Sequence, residues 1–385
     1  MWAESEHSLE NRLLAFLIQT GYDPVDIKSI EQLKENHIRQ ICQLNQIDLS
    51  DDETKRYFTQ LNQGNVFARA ERLRDKIVIQ SDDSAVKNKY IRLIDTQNPE
   101  KNIFQVVSQP EVHGKKGKNI YDVVILINGL PLVHIELKRK GIHYGEAEEQ
   151  LLRYYRDSLG AEGGLFLYTQ LYIVSNDTET RYFANNTKLN KLFHFTWAKE
   201  DNSKVNDLFE FAGVFLNPQQ LFRFITNYVV LKKKTEQLYV LRPYQFYAVE
   251  RIIEKVKENS GNGYIWHTTG SGKTLTSFKA SQIITRIPEV KKVVFVVDRK
   301  DLDEQTAKEF NAYSPESVDL TANTKKLVER LEGDTRLIVT TIQKLNYAIS
   351  TPKYKRRIES LRDERIVFIF DECHRSQFGL THRNI

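Results

Sequence analysis

The pattern of apolar and polar positions divides the 385-residue chain into two regions of different architecture. In the first region, residues 8–20 form a predicted amphipathic helix that Ser8 could cap, and residues 30–80 continue with helical patterning. Apolar segments at 121–127 and 131–138 then predict two strands, and a helix is expected near 143–157.

In the second region, short apolar segments alternate with helical patterning. The predicted strands are YIWH, VVFVVD, LIVTT and VFIFDE, and alternation of this kind favours a parallel sheet with helices on both faces. The fold class is therefore α/β. The charge-rich segment 231–245 is the expected join, with one domain at 1–235 and a second at 236–385.

Composition and charge exclude several classes of protein. The chain is 40% hydrophobic and 28% charged, which is typical of a globular protein, and it has no apolar run long enough for a membrane span. The polar, acidic first residues lack a secretory leader, and two distant cysteines predict no disulfide framework, so a cytoplasmic location is expected. The net charge of +5 permits nucleic-acid binding without requiring it.

The strongest motif is HTTGSGKT at 267–274, which matches a phosphate-binding loop except that His267 replaces the first glycine. Small residues let backbone N–H groups surround phosphate oxygens, Lys273 can offset the β- and γ-phosphate charge, and the Thr274 hydroxyl can join a Mg²⁺ shell. The predicted ATP-binding residues of this loop are Thr268, Thr269, Gly270, Ser271, Gly272, Lys273 and Thr274.

Two acids, Asp371 and Glu372, follow the last apolar strand of the chain. Open α/β sheets bind ligands at the carboxyl ends of their strands. Asp371 is therefore expected to hold the Mg²⁺ of a bound ATP through water, and Glu372 to orient or deprotonate the attacking water.

A second cluster, Asp122, Glu136 and Lys138, lies on the predicted strand pair. Two carboxylates on adjacent strands can hold Mg²⁺, and Lys138 could stabilise charge on a scissile phosphate. Asp122 lies opposite Glu136 only if the connection has three residues or the pair contains a bulge, because a strict two-residue Asn-Gly loop would pair Asp122 with Ile135. From these three residues alone, a surface hairpin with scattered charges is an equally good reading.

These motifs resemble those of a known family. Asp-Glu-Cys-His at 371–374 resembles the box of superfamily 2 helicases and translocases. LRPYQ at 241–245 resembles their adenine-reading element, which implies ATP contacts from Arg242 and Gln245. FVVDR at 295–299 and TTIQK at 340–344 resemble elements near nucleic acid, which implies DNA contacts from Arg299, Thr341 and Lys344. The longer strings WHTTGSGKT, VVDRKDLDEQT and FDECHRSQFG are similar to those of type I restriction subunits in particular.

The same resemblance extends to the first region. Asp122, Glu136 and Lys138 resemble the motif of PD-(D/E)xK nucleases. Gln150 and Tyr154, four apart on the predicted helix and hence on one face, resemble the Q-x-x-x-Y element that follows the catalytic lysine. Glu10 lies on the first helix, where the family often carries an additional metal-site acid, and Glu4 and Glu6 are further candidates for that acid.

The resemblance implies a type I restriction subunit in which ATP-driven translocation accompanies Mg²⁺-dependent cleavage of double-stranded DNA. ATP and Mg²⁺ are the implied cofactors, and methyltransferase and specificity subunits the implied partners. The family's motor has a second RecA-like lobe, which this sequence lacks, so the isolated chain is expected to hydrolyse ATP very slowly. Two alternatives stay open: a translocase whose first domain only binds DNA, and an inactive remnant.

Overall fold

The computed structural model describes residues 5–83, 86–113, 117–157, 164–186, 193–259, 261–268, 270–297, 310–311, 319–320 and 323–371. Contacts divide the chain into two compact units, one of Met1–Leu231 with Glu236–Pro243 and one of Lys232–Thr235 with Tyr244–Ile385. Residues 236–243, which the sequence analysis assigned to the second domain, thus pack with the first unit. Among the described residues, no helix has the length and apolar character needed to cross a membrane.

The first unit combines helices with a mixed sheet. Its helices are α1 (Glu6–Gln19), α2 (Ile30–Asn45), α3 (Asp51–Leu61), α4 (Val66–Arg72), α5 (Gly145–Asp157), α6 (Leu208–Phe215) and α7 (Pro218–Arg223). Its strands are β1 (Asp23–Pro24), β2 (Lys76–Gln80), β3 (Asn88–Arg92), β4 (Phe104–Ser108), β5 (Glu111–His113), β6 (Lys118–Ile120), β7 (Val123–Ile127), β8 (Leu130–Leu137), β9 (Leu171–Ser175), β10 (Thr180–Ala184), β11 (Trp197–Ala198), β12 (Lys204–Val205), β13 (Val229–Lys232) and β14 (Gln237–Val240).

The main sheet of this unit has the strand order β1-β4-β7-β8-β9-β10 within the described residues. β8 pairs in parallel with β9 and antiparallel with β7. Every residue of β7 and β8 is buried, because the sheet is covered on both faces. On α5, Ala147 and Leu151 pack against the β9–β10 side of the sheet through Tyr172, Val174 and Phe183.

Two boundaries differ from the sequence predictions. Helix α1 starts at Glu6 and not at Ser8, because the side chain of Ser5 accepts a hydrogen bond from the backbone N–H of Ser8 and caps the helix. The helical patterning predicted through residue 80 ends earlier, since Lys76–Gln80 form a strand. Alternate residues of that strand are buried, which is the period of a half-buried strand and not of a helix.

The connection between β7 and β8 sets the register of the pair. Asn128 and Gly129 form a two-residue turn in which both φ angles are positive, 51° and 74°. A bulge then shifts the register between Ile125 and Leu126, so that Val123 faces Ile135. Continued by one residue, this register sets Asp122 opposite Glu136. The bulge predicted as one of the two solutions is therefore present.

The turn is clamped by helix α2. The ring of His37 on α2 is hydrogen-bonded to the carbonyl oxygen of Asn128 at 2.8 Å. A Cβ atom on Gly129 would lie 2.5 Å from the Cα of His37, closer than backbone atoms tolerate. Both the positive φ angle and the close approach of α2 therefore require glycine at this position.

The second unit contains an all-parallel sheet. Its helices are α8 (Pro243–Glu258), α9 (Lys273–Ile284), α10 (Thr324–Glu332), α11 (Ile342–Ser350) and α12 (Pro352–Ile358), and its strands are β15 (Lys292–Val297), β16 (Asp319–Leu320), β17 (Leu337–Thr341) and β18 (Ile366–Phe370). The strand order among the described residues is β16-β17-β15-β18. Val294 and Val296 of β15 pack with α10 and α11 on one face, whereas Phe295 meets Phe310 on the other. The predicted parallel sheet with helices on both faces is confirmed.

One predicted strand of this unit is wrong. Residues 262–268, which contain YIWH, adopt irregular structure, and the side chains of Tyr264 and Trp266 are 81% and 89% exposed. A strand persists only where a neighbour satisfies its backbone groups. No strand among the described residues pairs with this segment.

Gly129→Ala should destabilise the chain more than Gly141→Ala. Gly141 also has a positive φ angle, 94°, but a Cβ atom there would meet nothing within 4 Å. We expect about 1–2 kcal/mol from backbone strain at either position, and about 1–3 kcal/mol more at Gly129 from overpacking against His37. Urea unfolding of the two variants measures the difference, and equal losses would contradict the clamp.

Candidate functional site

Asp122, Glu136 and Lys138 converge at one end of the β7–β8 pair. The Oδ2 atom of Asp122 accepts a hydrogen bond from the backbone N–H of Leu137 at 2.7 Å, which ties the carboxylate to the neighbouring strand. The Nζ atom of Lys138 lies 4.0 Å from Oε1 of Glu136. The structure thus brings together the three residues that the spacing singled out.

The two carboxyl groups lie in a desolvated setting. Burial, together with the charge of Glu136, raises the pKa of Asp122 to about 7. Burial raises the pKa of Glu136 to about 8, and the positive charge of Lys138 opposes this rise. Both groups would be ionised near neutral pH if a cation replaced the lost hydration.

The donor set fits a hard divalent cation. Among the described residues, Oε1 of Glu136 is buried and has no hydrogen-bond partner. Within the same part of the chain, no three His, Cys, Asp or Glu side chains are arranged to hold a metal ion. Carboxylate oxygens such as those of Asp122 and Glu136 are the ligands that Mg²⁺ takes, and water or phosphate oxygens commonly complete its shell.

Helix α1 brings two more acids towards this site. Glu10 is buried, with Oε1 accepting from the Ser108 hydroxyl at 2.7 Å and Oε2 from the Gln109 amide at 2.9 Å. Oε2 of Glu6 lies 3.5 Å from Nζ of Lys138. The charges of both acids raise the pKa of Glu136. Glu6 and Glu10 were both candidates from the sequence, together with Glu4, and Glu6 lies one helical turn before Glu10.

Gln150 and Tyr154 lie on the same face of α5. The side-chain amide of Gln150 donates to the Tyr154 hydroxyl at 2.7 Å, and that hydroxyl donates to the carbonyl oxygen of Ile120 at 2.9 Å. Burial, followed by the charge of Glu136, raises the pKa of Tyr154 to about 12. The Tyr154 ring lies nearly parallel to that of His134, 6.5 Å away, and His134 contacts Glu136.

His134 is a residue that sequence reasoning missed. Its Nε2 atom lies 3.2 Å from Oε2 of Glu136, and burial lowers its pKa to about 3. None of the motifs found in the sequence includes this histidine. The two-residue separation of His134 and Glu136 places them on one face of a strand, and that signal could have identified the contact.

The phosphate-loop motif lies between α8 and α9 in the second unit. Gly270 and Gly272 have φ angles of 76° and 80°, and Lys273 and Thr274 form the first turn of α9. The Ser271 hydroxyl donates to the carbonyl oxygen of Thr268 at 2.7 Å and lies 2.8 Å from Nδ1 of His267. The backbone thus curls before a helix N-terminus, which is the geometry that binds anions.

Helix α8 contacts this loop directly. The Tyr244 hydroxyl donates to the carbonyl oxygen of Ser271 at 2.8 Å, and the Gln245 amide donates to the same oxygen at 3.2 Å. Arg242 belongs to the first unit, where its guanidinium lies 5.0 Å from the centre of the Phe195 ring.

The remaining predicted residues lie at the carboxyl edge of the parallel sheet or outside the described residues. Asp371 directly follows β18, and its backbone N–H donates to the carbonyl oxygen of Val296 at 2.9 Å. Thr341 ends β17 and caps α11 by accepting from the backbone N–H of Lys344 at 3.3 Å. Thr269, Arg299 and Glu372 lie outside the described residues.

Comparison with known proteins identifies the family. Residues 3–191 match the family described as the type I restriction enzyme R protein N terminus, and residues 244–385 match the SWI2/SNF2 ATPase family. The type I restriction enzyme EcoprrI endonuclease subunit of Escherichia coli is 38% identical over 265 residues, which cover 66% of this chain and 83% of that protein. The chain belongs to the endonuclease subunits of type I restriction enzymes.

Two further endonuclease subunits show what share of a relative's length this chain covers. One from Staphylococcus aureus is 45% identical over 387 aligned positions, covering 99% of this chain and 41% of the relative. A Mycoplasma pneumoniae protein described as the C-terminal part of the MpnIIP endonuclease subunit is 46% identical over 202 residues, or 49% of this chain and 97% of that protein. The chain spans about 41% of the length of its Staphylococcus relatives.

The metal-free endonuclease-subunit chain should lose stability as pH rises from 5 to 8. The folded chain keeps protons on Asp122 and Glu136 up to about pH 7 and 8, whereas the unfolded chain releases them near pH 4, so folding takes up protons in this window. Thermal unfolding in EDTA should show a midpoint that falls with pH more steeply than in Glu136→Gln.

Mg²⁺ supplies the matching control. At pH 8 it should raise the unfolding midpoint of the unmodified chain and leave Glu136→Gln nearly unchanged. Parallel pH curves for the two proteins, or an equal response to Mg²⁺, would contradict the assignment of the raised pKa values to this carboxylate pair.

Proposed function

We propose that this chain carries the nuclease and the first motor lobe of a type I restriction enzyme. It cleaves double-stranded DNA at the Asp122, Glu136 and Lys138 site and binds ATP at the 267–274 loop. The observation that supports cleavage most directly is the buried carboxyl group of Glu136 and the half-buried one of Asp122 beside Lys138, with Oε1 of Glu136 left without a hydrogen-bond partner in the described part of the chain.

The proposal assigns a fold to each unit. The first is a PD-(D/E)xK nuclease domain, supported by the D-(x)₁₃-E-x-K residues that converge on adjacent strands of a mixed sheet. The second is a RecA-like lobe, supported by the parallel sheet, the phosphate loop at the start of α9 and the match to SWI2/SNF2 ATPases. We place the boundary of the two domains near Pro243, since residues 236–243 pack with the first unit.

In this proposal, a few side chains of the first unit carry out cleavage. Asp122 and Glu136 hold Mg²⁺, which when bound makes a nucleophilic water available at neutral pH and offsets charge on the scissile phosphate. Lys138 donates to the phosphate oxygen on which negative charge develops. Gln150 and Tyr154 contact the DNA backbone from α5, and Glu10 adds negative charge to the metal site from α1.

The nucleotide site uses the carboxyl edge of the second sheet. Lys273 binds the β- and γ-phosphates of ATP, Thr274 and Asp371 hold its Mg²⁺, and Glu372 orients the attacking water. Gln245 contacts the adenine, and the backbone of 268–272 surrounds the phosphates. Arg299, Thr341 and Lys344 contact DNA. In the assembled enzyme, a specificity subunit reads the DNA sequence and a methyltransferase subunit completes the complex.

Mg²⁺-dependent nicking of supercoiled plasmid tests the nuclease. Asp122→Ala and Lys138→Ala should each lower the nicking rate at least about 100-fold, because each removes a group that stabilises the transition state. Lys140→Ala is the matched control, since Lys140 is exposed and two residues beyond Lys138. Nicking that survives both active-site substitutions would refute the assignment.

A DNA-binding assay distinguishes cleavage from the second candidate function, which is a translocase whose first domain binds DNA without cutting it. If the unmodified, folded chain binds DNA but does not nick it in Mg²⁺, the binding-only function replaces cleavage for the isolated chain.

Binding of a fluorescent ATP analogue with Mg²⁺ tests the nucleotide site. Lys273→Ala should weaken binding at least about tenfold, because a charge-assisted contact to phosphate contributes roughly 1.5–3 kcal/mol. Lys353→Ala is the control within the same unit, since Lys353 is exposed on α12. Equal affinity of the two variants would contradict the placement of the phosphates at Lys273.

A further inference from the structure

The carboxylate of Glu136 has two oxygens in different surroundings. Oε2 lies 3.2 Å from Nε2 of His134, whereas Oε1 has no hydrogen-bond partner among the described residues. Nζ of Lys138 lies 4.0 Å from Oε1. One oxygen is therefore held by a histidine and the other is left for a further ligand.

The hydrogen bond to Glu136 comes from a ring that is itself tightly packed. His134 and Glu136 are both fully or nearly fully buried, and as residues i and i+2 of β8 they point to one face. The His134 ring centre lies 4.4 Å from that of Tyr121 and 5.7 Å from that of Tyr172. Tyr154 lies nearly parallel to it, at 12° and 6.5 Å.

A buried carboxylate near a metal needs such a partner. Without one, the carboxylate can rotate about its terminal torsion angle. Binding of a metal must then fix that angle at an entropic cost. Groups that hydrogen-bond metal ligands typically change metal affinity 10–100-fold when they are removed.

We propose that His134 is a positioning residue for Glu136. Its Nε2–H donates to Oε2 and fixes the carboxylate so that Oε1, together with Asp122, faces a divalent cation. His134 itself contacts neither the cation nor the DNA. This inference rests on the proposed nuclease function, because it assigns a role at the same metal site.

Two substitutions separate the hydrogen bond from the packing of the ring. His134→Gln removes the ring but keeps an N–H donor at a similar reach from the backbone. His134→Phe keeps an aromatic ring among Tyr121, Tyr154 and Tyr172 but has no donor. If His134→Phe does not fold, as judged by circular dichroism, His134→Leu replaces it as the variant without a donor.

Mn²⁺ binding to the full chain without DNA provides a readout that does not depend on cleavage. Free Mn²⁺ is measured by electron paramagnetic resonance, and Glu136→Gln defines the binding that this site contributes. We expect His134→Phe to weaken Mn²⁺ binding about 10–100-fold and His134→Gln to retain most of the affinity.

The possible outcomes distinguish this inference from the function on which it rests. Equal weakening by the Gln and Phe variants would mean that ring packing matters and the hydrogen bond does not, which overturns the positioning role. Unchanged affinity in His134→Phe overturns it as well. If the unmodified chain binds no more Mn²⁺ than Glu136→Gln, the metal site itself is refuted, and the positioning role with it.

Discussion

The register of the β7–β8 pair is the constraint on which the first unit's site depends. Side chains alternate faces along a strand, so a shift of one residue would turn Asp122 away from Glu136. The two-residue turn at Asn128 and Gly129 alone gives the wrong register, and the bulge that follows it restores the right one. Helix α2 closes against the turn through His37, which leaves the pair no room to slip.

Buried negative charge is the second physical feature of this site. Glu136 is fully buried and Asp122 lies half-buried opposite it, and desolvation raises the pKa of each. Such a pair is unfavourable in the folded chain unless protons or a cation offset its charge. The proposed metal therefore couples stability and cleavage, since the same ion relieves the desolvation of the carboxylates and activates water.

The sequence predicted much of this arrangement, because the constraints involved are local. Strand alternation and the Asn-Gly turn were enough to deduce that Asp122 and Glu136 could meet only through a bulge or a longer loop. The parallel strands and the helix that begins at Lys273 were likewise predictable from the sequence, since the apolar runs and GSGKT depend on few neighbours. The roles assigned to these residues, and to Gln150 and Tyr154, stay predictions.

Other features depend on contacts between distant segments, which spacing alone does not reveal. Glu6 and Lys138 are 132 positions apart, and nothing in the local pattern of α1 favours Glu6 over its acidic neighbours. His134 belongs to none of the motifs, although its neighbour on the same strand face is Glu136. The YIWH segment has the composition of a strand, but a strand also requires a pairing partner, and composition does not show whether one is present.

The most direct test of the central claim is a crystal structure of the full chain grown with Mn²⁺, using the anomalous signal of the metal. The account predicts an anomalous peak within coordination distance of both Asp122 and Glu136, on the Oε1 side of Glu136. A structure with no peak between these carboxylates, or with the two side chains on opposite faces of the strand pair, would contradict it.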